Sequence, residues 1–108
     1  MNIVLTVGIL SLAFYATGSA SQEDNVSKSE WCSTVANLAG SMMSSRQNGV
    51  ALDDILKAIG ANKSESIRKI SRFMVIDAFE KPLYLTEDAK QREIKEFKNR
   101  WQLTCIKS

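Results

Sequence analysis

The sequence predicts an all-α protein, a small bundle of three main helices plus one short helix, stapled by one long-range disulfide. Three observations carry this expectation. Apolar residues recur at three- and four-residue intervals from Trp31 to Cys105, and no useful length alternates with a period of two. Gly49, Gly60 and Pro82 fall where these runs break. Two cysteines, Cys32 and Cys105, stand near opposite ends of the periodic region.

The elements follow in order. Ser27-x-x-Glu30 has the form of a capping box ahead of a first helix. Trp31, Cys32, Val35, Leu38, Ala39, Met42 and Met43 line one side of that helix, and Gly49 is placed to end it in a left-handed cap. Leu52, Ile55, Leu56 and Ile59 repeat the period in a short second helix that stops at Gly60. Asn62 or Ser64 caps a third, which runs to about Glu80. Its second half, "FMVIDAF", is apolar nearly all round and predicts the element most surrounded by others. Pro82 ends it, and "KPLYL" reads as an extended linker. Thr86, with Glu87 and Asp88 behind it, opens the last helix, whose inner side carries Ile94, Phe97, Trp101, Thr104 and Cys105.

The first twenty residues hold no charged side chain, and their apolar run ends in Gly18-Ser19-Ala20. That order is the pattern of a secretory signal peptide, residues 1–20, and the run is too short for a spanning helix. Residues 21–28 are expected to form a flexible N-terminal segment and 29–108 the helical domain. Localisation is then exported, periplasmic or secreted, where a Cys32–Cys105 disulfide forms readily. The loop-entropy model assigns such a closure about 4 kcal/mol. Asn25-Val26-Ser27 and Asn62-Lys63-Ser64 match the glycosylation acceptor, which matters only in a host that uses it.

Composition narrows the chemistry. Fourteen Lys and Arg against twelve Asp and Glu are too balanced for a nucleic-acid partner. No histidine is present, so Ser-His and Cys-His nucleophile systems are excluded. A zinc site would need both cysteines, already committed to each other, and no phosphate-binding glycine loop appears. Neither an enzyme, a cofactor nor a metal is expected. Most carboxylates fall at helix starts or on polar faces, where solvation and the helix dipole account for them. The run "AKQREIKEFKNR" is basic on one side but interleaved with Glu93 and Glu96, a solvated face by default.

Two charges depart from that pattern. A count of about 100° per residue turns Arg46 inward on the first helix and Asp77 inward on the third. A buried charge is tolerated chiefly when paired, so an Arg46–Asp77 ion pair is expected, with the first helix's last carbonyls as further acceptors for Arg46. Met42 and Met43 fill the core, and Trp31 and Trp101 pack around the disulfide. Gln47, Asn48 and Tyr84 are left as partner contacts.

Cys32, the stretch Met43-Ser44-Ser45-Arg46-Gln47-Asn48-Gly49, the stretch from Asp77 to Tyr84, and Glu96-Phe97-Lys98-Asn99-Arg100-Trp101 through Cys105 together read C…MxxRQxG…DAxExPxY…EFxNxWxxxC. In this the chain resembles small exported bacterial and phage helical proteins of uncharacterised function. The resemblance implies export and a helical fold, and no enzyme. A looser likeness is to periplasmic acid-stress holding chaperones of the HdeA type, small helical proteins with one long-range disulfide and a Trp-x-Cys near the start. Here Trp31 and Cys32 are adjacent. The function expected is binding of another protein in the envelope or outside the cell, as an inhibitor or immunity-type factor. A holding chaperone is the alternative.

Overall fold

The structure, a computed structural model, describes residues 26–108. The signal peptide expected over 1–20 and most of the segment 21–28 lie outside the described residues. Four helices follow: α1 Lys28–Gln47, α2 Leu52–Ala61, α3 Glu65–Phe79 and α4 Glu87–Lys107. No strand occurs among the described residues. The all-α bundle of three main helices and one short one is therefore the observed fold. Among the described residues, no helix is long and apolar enough to cross a membrane.

The helix ends form where the chain has groups to satisfy their free donors and acceptors. At α1, the Ser27 hydroxyl accepts from the Glu30 amide at 3.1 Å and donates to the Glu30 carboxylate at 3.2 Å. The other end of α1 closes in a Schellman turn. Val50 N–H donates to Ser45 O at 3.0 Å and Gly49 N–H to Arg46 O at 3.1 Å. Gly49 takes φ 78° there, a conformation that L side chains resist. Ser64 caps α3 through the Ile67 amide, while the Asn62 side chain, two residues earlier, accepts from the Ser64 amide. Thr86 caps α4 through the Ala89 amide at 3.2 Å.

Cys32 and Cys105 are bonded, with Cα atoms 5.5 Å apart across a separation of 73 residues. The bond joins the first turns of α1 to the last turns of α4. Between them the core is built from Val35, Ala39 and Met43 of α1, Met74 and Ala78 of α3, and Phe97 of α4, all fully buried. Ile55 and Ile59 of α2 are buried as well.

The expectation that the second half of α3 is the most surrounded element needs correction. Met74, Val75 and Ala78 are buried, but Phe73 is 65% and Ile76 60% exposed. The reason is topological. Of the described elements, α1, α2 and α4 cover only part of the α3 circumference, so an apolar sequence on its remaining side stays open. Glu93, placed by sequence on a solvated face, is instead 9% exposed. Its carboxylate is taken up by Tyr84 from the linker, described below.

Candidate binding surfaces

Arg46 and Gln47 sit together at the end of α1 and hold the linker that follows α3. Gln47 is 1% exposed. Its Nε2 donates to the Pro82 carbonyl at 2.9 Å and lies 3.5 Å from the Met43 sulfur, while its Oε1 accepts from the Tyr84 amide at 2.9 Å. One side-chain amide thus supplies the donor and the acceptor that a neighbouring strand would offer to Leu83's flanking peptide groups. The Gln47 carbonyl, among the last of α1, accepts from Lys90 Nζ at 3.0 Å. A cation from α4 therefore neutralises the negative end of α1.

Arg46 is half-buried and clasps one oxygen. Both Nε, at 3.2 Å, and Nη2, at 3.0 Å, donate to the Lys81 carbonyl just beyond α3. The guanidinium carbon stands 4.9 Å from the centroid of the Phe79 ring, a cation–π arrangement. Here the expected Arg46–Asp77 pair is corrected. Asp77 faces α4, where its carboxylate accepts from Trp101 Nε1 at 2.9 Å and meets Arg100 at 3.7 Å and Lys81 at 4.0 Å. Both charges turn inward as counted, but toward different helices. A backbone carbonyl at the α3 terminus and an aromatic face satisfy the arginine without a carboxylate. The Gln47 carbonyl, one of the last α1 carbonyls expected to accept from Arg46, accepts from Lys90 Nζ instead.

The residues expected to meet a partner separate into three environments. Gln47 is withdrawn into the joint just described, which corrects its placement on the surface. Asn48 is exposed, with its amide 3.5 Å from the Ser44 hydroxyl. Tyr84 is half-buried and its hydroxyl donates to Glu93 Oε1 at 3.3 Å. Desolvation, then the negative charge and hydrogen bond of Glu93, raise the Tyr84 pKa above its ordinary value, and nearby Arg92 opposes them.

Two apolar concavities lie elsewhere. A cleft of about 280 Å³ opens between α1, α2 and α3. Leu38, Met42, Ile55, Ile59 and Ile67 form its walls, and Ser41, Ser45, Ser71 and Asp54 add polar groups to its lining. Ala58 also lines the cleft and is itself exposed. The cleft exists because small side chains interrupt the apolar stripes: Ser41 and Ser45 one turn apart on α1, Ala58 on α2. That spacing was readable in the sequence. A second, outward groove of about 490 Å³ runs along α2 and α3, floored by Leu52, Leu56, Val75, Ile76 and Phe79, with Arg72 and Glu80 in its lining.

The fold and these surfaces define a disulfide-closed helical protein whose distinctive features are apolar concavities. Comparison with protein-family models, curated proteins and solved structures finds no match.

Proposed function

We propose that this chain is an exported protein that acts by binding another protein in the envelope or outside the cell, as an inhibitor or immunity-type factor, without a catalytic step. The α1–α2–α3 cleft is the observation that carries the reading. Its walls are apolar, its lining includes three serines and one aspartate, and its volume suits a single large side chain. Hot spots of protein interfaces have that form, an anchor residue in a desolvated pocket with polar groups around it. Filling the cleft with a leucine, isoleucine or phenylalanine from a partner would contribute about 1.5–3 kcal/mol from apolar burial. The disulfide and the Arg46–Gln47 joint supply rigidity, which limits the entropy lost on association.

The test uses a photo-crosslinking side chain at Ala58, in the cleft, and the same side chain at Lys95, on the exposed face of α4. Both oxidised proteins are exposed to envelope extract and to culture supernatant. Crosslinks to a discrete protein from Ala58 but not from Lys95, lost when Ser45→Trp fills the cleft, are the expected result. Equal yields from both positions would remove the support for this reading.

A further inference from the structure

We propose that the outward α2–α3 groove is the interface of a twofold homodimer in which Arg72 of each copy pairs with Glu80 of the other. This surface is distinct from the cleft, and the inference stands without the function proposed above. Leu52 and Leu56 are 42% and 43% exposed, and Ile76 and Phe73 on α3 are more open still. Scattered exposed apolar residues need no explanation. Here, however, Leu52, Leu56 and Ile76 line one groove together.

The charges in the lining identify the occupant. Arg72 and Glu80 lie four residues before and four residues after Ile76, on the same i±4 ridge. Eight residues of helix separate them by about 12 Å, too far to pair within one chain. Neither side chain has an ion-pair partner among the described residues. A twofold axis beside Ile76 runs two α3 helices antiparallel and brings residue 76+k of one copy against residue 76−k of the other. Arg72 then meets Glu80 twice, and Phe73 meets Phe79 twice. A parallel arrangement would place Arg72 against Arg72 and Glu80 against Glu80, so the charges select the antiparallel one. Ridges of this i±4 class pack at a crossing angle of about −50°. Such a contact is self-complementary, as a closed twofold interface requires. It would also cover the apolar side of α3 that the described helices leave open.

The experiment is sedimentation equilibrium of the oxidised full chain from about 1 μM to 1 mM, the range of affinities that separates weak from specific association. The unaltered chain is expected to rise from the monomer mass to twice that mass. Arg72→Glu and Glu80→Arg each create two like-charge contacts and should weaken association about tenfold or more. The double variant Arg72→Glu/Glu80→Arg should recover it, and an equimolar mixture of the two single variants should form a heterodimer. Both positions are exposed, so each single variant is checked for an unchanged helical spectrum and melting point. A chain that remains monomeric throughout overturns the proposal. Dimers indifferent to both single charge reversals overturn it equally, because they place the contact elsewhere. Crosslinking from Ala58 reads the cleft separately, so failure here leaves the proposed function to its own test.

Discussion

Replacing Gln47 by leucine removes one donor and one acceptor from a buried position while nearly preserving volume. The amide now satisfies Pro82 O and Tyr84 N–H, both at 2.9 Å. Each lost hydrogen bond has a net worth of about 0.5–1.5 kcal/mol, and a backbone group left unpaired in a buried place costs about 1–3 kcal/mol. Pro82 and Leu83 are exposed, so water reaches part of the freed linker and the upper figures do not apply in full. The expected loss is therefore about 2–3 kcal/mol. For a domain of this size that is a fall in melting temperature on the order of 10 °C. Urea unfolding of the oxidised protein, followed by helical circular dichroism, gives the free energy. Amide hydrogen exchange at Tyr84 should accelerate in the same variant. The exposed neighbour Asn48→Ala is the control and should stay within about 0.5 kcal/mol of the parent. If Gln47→Leu costs no more than that control, the amide does not hold the linker and the reasoning fails.

Two further outcomes are expected. A double-mutant cycle of Arg46→Met and Asp77→Asn should show a coupling below about 1 kcal/mol, since the two side chains make no direct contact and share only Lys81, through its carbonyl and its distant ammonium. A coupling well above that would restore the ion pair which the geometry replaces. Tyr84 has a native pKa above its unfolded value, so the native state retains its proton where the unfolded chain begins to lose it. Its contribution to stability is complete below about pH 10 and declines as pH rises from there through the native value. Unfolding measured from pH 8 to 11 should show that decline in the parent and a smaller one in Tyr84→Phe; equal slopes would contradict it.

Much of the architecture was legible because it depends on local signals. Ser64 and Thr86 are caps by side-chain chemistry alone, and Gly49 ends α1 because few other residues accept its φ. Cys32 and Cys105 needed only two inward stripes near opposite ends of the periodic region. The joint at Arg46–Gln47 was half legible. A helical wheel turns Arg46 inward, but it counts only side chains as partners, so it supplied a carboxylate where the fold uses the Lys81 carbonyl and the Phe79 ring. Gln47 was misplaced for a related reason. Its position on α1 does not reveal that the linker after α3 returns to cover it. The apolar circumference of α3 shows a further limit, since composition records what a helix offers and not whether any element remains to cover it. Phe73 and Ile76 are open on that account.

The Cys32–Cys105 bond also changes what a cut in the backbone means. Both connections that precede α3, the turn after α1 and the turn after α2, are exposed and lie inside the span it closes, as do the exposed residues Leu85 and Thr86 before α4. A protease acting at any of them opens one peptide bond without releasing a fragment, because the two pieces remain a single covalent molecule. A nick in a surface loop therefore becomes a local injury rather than the loss of half the scaffold.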